Sequence, residues 1–456
     1  MFPARVYIER RARLRQDVNS GLILLLGNEE SPMNYVDNPY PFRQDSTFLY
    51  FFGLDQPGLA AVIDLDEASE CVFGDDPTVE AIVWTGPQPL LSERCERVGI
   101  TTTATRDALA PVLEKARQRG RTIHLLPPYR PEHILRPAEF GLHGSPSEPL
   151  IKAVVDQRST KSPEEIEQIE AAIEISYEMQ TTAMRMARPG VVEREVAGAM
   201  EGITISRGGR PSFATIFSMH GETLHNHSYD NVLKAGDIVV NDSGAESPLH
   251  YASDITRTIP IAGEFSPRQR EIYSIVLDAQ EQAIAASRPG VEFREVHRIA
   301  SVALLTGLRA LGLVKGDPAE AVEAGAHTLF FPCGLGHMLG LDVHDMEGLG
   351  EDYVGYTDSI RRNPAFGWRS LRLAKALEPG YVITIEPGIY FIPQLIDRRR
   401  DEGTFDRFIE YDKIEAYRNF GGVRIEDDVL VTETGCRLLG RPIPRTIEEV
   451  EALACL

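Results

Sequence analysis

The sequence predicts an α/β domain over residues 1–155, followed by an α+β domain of two pseudo-symmetric halves over residues 160–456. Three observations carry this. Short apolar runs alternate with helical stretches through the first third, as in α/β units. A Gly/Pro/Ser-punctuated stretch, 141–162, then separates it from a strongly capped helix. Finally, "RPGVVEREV" (188–196) returns as "RPGVEFREV" (288–296), each after a long helical run.

In chain order, "GLILLLGN" (21–28), "LAAVIDL" (59–65), "AIVWTG" (81–86) and "TIHLLP" (122–127) predict strands, because each is a brief apolar run ended by turn residues. "ALAPVLEKARQRG" (108–120) predicts a helix stopped by glycine. "SPEEIEQIEAAIEISYEMQ" opens a second domain, with Ser162 as N-cap, Pro163 at the first helical position and Glu165 closing a capping box. Within that domain, Asp242 stands six residues after Gly236 and Glu386 six after Gly380, each ending a "GDIVVND" or "GYVITIE" strand. The two echoes are offset by 100 and 144 residues, so a duplication carries an insertion in its second half. Repeated halves tend to build a site where they meet.

Composition narrows the function. The chain has 456 residues, with 43% hydrophobic and 25% charged, which suits a globular protein with a sizeable core. Its net charge of −21 repels phosphate backbones and anionic membranes, so neither nucleic acid nor a membrane surface is expected as a partner. No long apolar run or signal-peptide core is present. Cys71, Cys95, Cys333, Cys436 and Cys455 are scattered, with no C-x-x-C pair, and imply free thiols in a reducing, cytoplasmic compartment.

The chemistry lies in the acids. "GDIVVNDSGAESPLHYASDITRTIPI" reads as two strands joined by a short loop, with Asp242 and Asp254 across from each other on one face. Facing carboxylates destabilise a sheet unless something neutralises them. Glu386 in "YVITIEPGIY" and Glu426 in "GGVRIEDDVLV" also sit in apolar strands, where a charge needs a partner. Arg424, two residues before Glu426, shares its strand face. Asp428, two residues beyond, reads as a solvated strand-end acid.

Four carboxylates and an imidazole make an oxygen-rich set suited to two divalent ions with no thiolate ligand. A pair of ions about 3.5–4 Å apart can hold a bridging hydroxide as nucleophile. "GLGHMLGLDVHD" (334–345) offers His337 and His344, one for the metals and one beyond them. Its three glycines predict strand or loop with close backbone approach rather than helix.

In order, Asp242, Asp254, His337, Glu386 and Glu426 resemble the five metal ligands of the pita-bread metallopeptidases, a group spanning methionine aminopeptidase, aminopeptidase P and prolidase. "DITRT", "GLGHMLGLDVHD", "IEPGIY" and "VRIEDD" resemble the proline-directed branch, and "PFRQDSTFLYFFGL" resembles its N-terminal domain, so the likeness runs through essentially the whole chain. Creatinases share the fold without the ligands. The resemblance implies that Asp242 chelates one metal, that His337 and Glu386 bind the other, and that Asp254 and Glu426 bridge both. Glu386 is then also the general base, and His344 hydrogen-bonds the tetrahedral intermediate.

His225, in "TLHNHSYDN", matches a second substrate-binding histidine, with His227 as the alternative. Arg372 in "SLRLAKAL" falls where the larger prolidases carry an arginine for the proline carboxylate, and Arg424 is a further candidate for substrate binding. Manganese is the metal the resemblance implies, though the residues also permit cobalt or zinc.

The expected activity is hydrolysis of the bond between an N-terminal residue and proline, leaning to an Xaa-Pro dipeptidase. An aminopeptidase P acting on longer peptides is the alternative, and a catalytically dead binding module a third. By resemblance, a homodimer or homotetramer is expected.

Overall fold

The computed structural model describes residues 1–455. They form two compact units: one comprises Met1–Arg158 with Met346–Tyr353, the other Ser159–Asp345 with Val354–Leu456. No described helix is long and apolar enough to cross a membrane.

In the first unit, β1 (Leu22–Leu26), β2 (Ala60–Asp64), β3 (Ser69–Phe73), β4 (Thr103–Ala104) and β5 (Ile123–His124) form one sheet in the order β4-β3-β2-β1-β5. β1 pairs antiparallel with β2 and parallel with β5. Leu22 and Leu24 join Val62 and Phe73 in a core with Leu109, Leu113 and Ala116 of the helix Leu109–Gln118. Ile23 and Leu25 on the opposite face are buried as well. Both faces are covered, so β1 reads as an unbroken apolar run instead of an alternation.

One expected strand is a helix. Residues 81–85 fall in the helix Val79–Thr85, whose N-cap Thr78 accepts the Ala81 N–H, and Gly86 stops it with φ 79°. A short apolar run does not by itself distinguish strand from helix. Here Val79, Val83 and Trp84 are exposed, so no sheet recruits them. The stretch 141–162 likewise contains a helix, Glu148–Ser159.

The second unit repeats its own plan. The helix Pro163–Met186 starts at Ser162, whose side chain accepts the Glu165 N–H while Glu165 accepts the Ser162 N–H. The echoed "RPGV" segments end this helix and the helix Pro267–Ala286, and lead into Glu193–Ser206 and Phe293–Ala310. Their hydrogen bonds match. The Gly190 N–H donates to Leu233 O at 2.8 Å, and the Gly290 N–H to Leu377 O at 2.9 Å. Gly190 and Gly290 have φ of 91° and 83°, backbone that glycine adopts at little cost.

After each partner segment comes a strand. β6 (Ile216–Ser218), β7 (Ile238–Ser243) and β8 (Ile255–Pro260) form one three-stranded sheet. β9 (Val382–Ile385), β12 (Asp427–Val431) and β13 (Cys436–Leu438) form a second, and β10 (Gly388–Tyr390) pairs with β11 (Gly422–Arg424). The halves are stitched where the Glu426 N–H donates to Thr256 O at 3.0 Å. This is the two-halved plan the repeat implies, and it agrees with the pita-bread fold that the resemblance implies.

Candidate metal centre

The acids lie at or beside strand ends rather than mid-strand. Asp242 is the penultimate residue of β7, Asp254 precedes β8, Glu386 follows β9 and Glu426 precedes β12. Strand ends release side chains from the regular pleat, so four carboxylates can turn toward one point. The expected facing of Asp242 and Asp254 needs correction. The register pairs Asp242 with Thr256, so Asp254 sits two residues along, diagonal to Asp242 on the same face.

His337 reaches this point because residues 335–339 run beside β9. The Glu386 N–H donates to Leu335 O at 2.8 Å, the Thr384 N–H to His337 O at 3.0 Å and the Leu339 N–H to Val382 O at 3.0 Å. A Cβ on Gly336 would stand 2.0 Å from the Thr384 carbonyl oxygen, so glycine allows the approach. His337 Nδ1 lies 3.0 Å from Met338 O. A carbonyl only accepts, so Nδ1 carries a proton, and Nε2 is the nitrogen left to face a metal. Nε2 is 3.4 Å from Asp254 Oδ2 and 3.7 Å from Glu386 Oε1. Ligand atoms of Asp254, His337 and Glu426 all lie within 4.8 Å of one another.

Two buried oxygens, Oδ1 of Asp242 and Oδ1 of Asp254, have no hydrogen-bond partner. Orphaned carboxylate oxygens beside the Nε2 of an imidazole fit divalent cations, which would satisfy those oxygens and cancel the repulsion. Burial pushes Glu386 up to about 7, opposed by His337 and Arg424 and aided by Asp254 and Asp242. Burial likewise raises Asp254, with Asp242 adding to it, and Glu426, with Asp254 and Glu386 adding to it.

Two side chains have other places than expected. Arg424, expected as a substrate-binding candidate, lies in the hydrogen-bond network of the site itself. It is 3% exposed, and its guanidinium donates to Asp242 Oδ2 (2.5 Å), Thr256 Oγ1 (3.1 Å) and the Tyr390 hydroxyl (2.9 Å). Its donors orient an acid of the site. Asp428 is not solvated: it is 1% exposed, and its Oδ2 accepts the Asp254 N–H at 3.1 Å.

His344 stands beside His337, with ring centroids 4.1 Å apart. The segment bends at Gly340 instead of extending. His225 is near the acids: partial burial lowers its pKa, Asp242 raises it, and Arg424, His344 and Arg372 lower it. Arg372 is half-buried and lies within electrostatic reach of His225. His227 is exposed.

Several supports went unnoticed in the sequence. Thr256 Oγ1 donates to Glu426 Oε2 at 2.6 Å, and Thr384 Oγ1 accepts the His337 N–H at 3.1 Å. Buried Arg257 donates to Asp427 Oδ1 at 2.7 Å and to Glu426 O at 2.7 Å. "DITRT" and the "EDD" of "VRIEDD" already held Thr256, Arg257, Asp427 and Asp428; an acid pair inside an apolar strand was the available signal.

Residues 167–433 match the model of metallopeptidase family M24, and residues 7–124 that of the aminopeptidase P N-terminal domain. The chain belongs to metallopeptidase family M24. Among members, an Xaa-Pro dipeptidase of Homo sapiens is 33% identical over 97% of this chain and 90% of its own length. A protein of Aspergillus clavatus described as "Probable Xaa-Pro aminopeptidase pepP" is 33% identical over 99% of this chain and 97% of its own. Escherichia coli aminopeptidase P, solved as an alanine variant in complex with substrate, is 30% identical with a TM-score of 0.81, covering 99% of this chain and 98% of that one. The same enzyme, zinc-substituted and with product, gives 29% and 0.80 over equal coverage. Membership of M24 makes the chain a metallopeptidase, with divalent metal and peptide as its cofactor and substrate.

Proposed function

We propose that this M24 member is an exopeptidase that cleaves the bond between an N-terminal residue and proline, working chiefly as an Xaa-Pro dipeptidase. The observation that supports it most is the meeting of Asp254, Glu386 and Glu426 at His337 Nε2, with Asp242 acting on Asp254 and one oxygen each of Asp242 and Asp254 unpartnered. Asp242 would hold one metal, His337 and Glu386 the other, and Asp254 and Glu426 both. The metals, manganese by preference, supply Lewis acidity and lower the pKa of water.

The chain's own residues do the rest. Glu386 accepts the proton of the attacking water. His344 donates to the developing oxyanion, and His225 helps seat the substrate. Arg424 holds Asp242 in place. Arg372, close enough to His225 to lower its pKa, grips the free carboxylate of a dipeptide's proline.

The five free cysteines fit a cytoplasmic setting, and the working form is a homodimer or homotetramer. Likeness to aminopeptidase P favours a second reading, cleavage of longer Xaa-Pro-Yaa peptides. The deciding test is product analysis on Ala-Pro and Ala-Pro-Ala after chelation and again with manganese restored. Hydrolysis by rigorously metal-free protein, or cleavage of neither peptide with metal, would sink the proposal.

A further inference from the structure

Behind the two histidines lies a buried ion pair that this chemistry does not use. Lys161 Nζ donates to Asp345 Oδ2 at 3.0 Å, and both side chains are 1% exposed. Lys161 is itself fastened to the turn that opens β9, since its N–H donates to Gly380 O at 2.8 Å. Asp345 follows His344 directly. Its N–H donates to Met338 O at 2.9 Å, and the same carbonyl accepts His337 Nδ1–H at 3.0 Å. One carbonyl therefore ties both ends of the 338–345 turn and sets the His337 tautomer.

The backbone is wrapped tightly on the pair. A Cβ on Gly340 would stand 2.4 Å from Asp345 Oδ2 and 2.9 Å from Lys161 Cε. The Gly340 carbonyl accepts the Ala252 N–H at 2.8 Å, two residues before Asp254. Apolar side chains of similar volume often fill such a space at no loss of stability, because a buried pair repays its desolvation only with good geometry. What a charged pair adds is direction.

We infer that Lys161 and Asp345 are positioning residues. Their ion pair holds the 338–345 turn so that His337 aims Nε2 at the carboxylates and His344 stands beside it. Neither touches substrate. The inference rests on the proposed role of His337 as a metal ligand.

The test compares wild type with Lys161→Met/Asp345→Leu, which replaces the pair by apolar bulk, and with Asp345→Asn. Melting temperature of the metal-free protein, Co2+ affinity by chelator competition, the Co2+ absorption spectrum, and kcat and KM are read for each. The double variant is expected to melt within a few degrees of wild type, yet bind Co2+ at least tenfold more weakly, with a changed spectrum. Its kcat should fall more than its KM rises. Wild-type affinity and spectrum in the folded double variant would overturn the inference while leaving the proposed function standing. If the double variant does not fold, Asp345→Asn decides by the same criteria. Should wild type itself bind no Co2+, the proposed function fails and the inference falls with it.

Discussion

The Asp254 N–H donates to Asp428 Oδ2 at 3.1 Å, so an acid outside the expected ligand set shapes the backbone at one within it. The bond needs an acceptor at that place, not a charge. Asp428→Asn keeps one and should retain most metal and activity. Asp428→Val removes it and leaves a buried N–H unpaired, at about 1–3 kcal/mol. The valine variant should melt earlier and lose metal, measured by calorimetry and elemental analysis. Equal behaviour of the two would show that the bond does not matter.

Glu386→Gln should lower kcat by several orders of magnitude, through loss of the proton acceptor and of a charge beside His337. Single-turnover rates at saturating metal separate the two causes. If added metal restores the rate, Glu386 is a ligand and not the base.

His337 and His344 lie side by side, yet their substitution should have different consequences. His337→Ala should lose both metal and activity. His344→Ala should keep its metal and lose turnover. Equal metal loss in both variants contradicts this division.

A separate pair of histidines sets an acid limit on stability. His297 and His327 are each 1% exposed, with ring centroids 5.7 Å apart. Burial lowers His297 to about 4; burial and then His297 lower His327 to about 3. Both are neutral in the folded protein at pH 7. Below about 6.5 the unfolded chain takes up protons that the folded chain refuses, so their contribution is full above that pH and drains away toward the folded values. The loss is roughly 1 kcal/mol per histidine by pH 5.5. In metal-free protein, denaturant titrations at pH 7.5 and 5.5 should show His297→Leu gaining on wild type as the pH falls. A constant difference would mean that His297 is not held neutral.

How far the sequence disclosed this molecule depended on the range of the forces involved. The capping box at Ser162 is set by neighbours a few residues apart, and the runs of β1, β2 and β5 and the echoed "RPGV" turns carry their pattern in the sequence itself, so they were legible. Residues 81–86 were not, because a short apolar run becomes a strand only if a sheet receives it. The acids were conspicuous as charges in apolar strands, but nothing local said that they occupy strand ends. Asp428 shows the limit most clearly. The same "EDD" spells a solvated strand end or a buried acceptor, and the choice lies with Asp254, 174 residues away. Lys161 and Asp345, 184 residues apart, were invisible for the same reason.

Arg372→Ala should weaken dipeptide hydrolysis far more than tripeptide hydrolysis. In Ala-Pro the proline carries a free carboxylate one residue from the scissile bond. A guanidinium meets it with two parallel charge-assisted hydrogen bonds, worth roughly 1.5–3 kcal/mol, or about ten- to a hundredfold in affinity. In Ala-Pro-Ala an amide takes that place, and the arginine contributes little. Arg372 is half-buried and within electrostatic reach of His225. Arg424 offers no substitute, because its donors are held by Asp242, Thr256 and Tyr390. The measurement is kcat/KM for both peptides in wild type and variant. A wild type that favours Ala-Pro-Ala, with a variant that loses both equally, would make this chain an aminopeptidase and leave Arg372 without a carboxylate to hold.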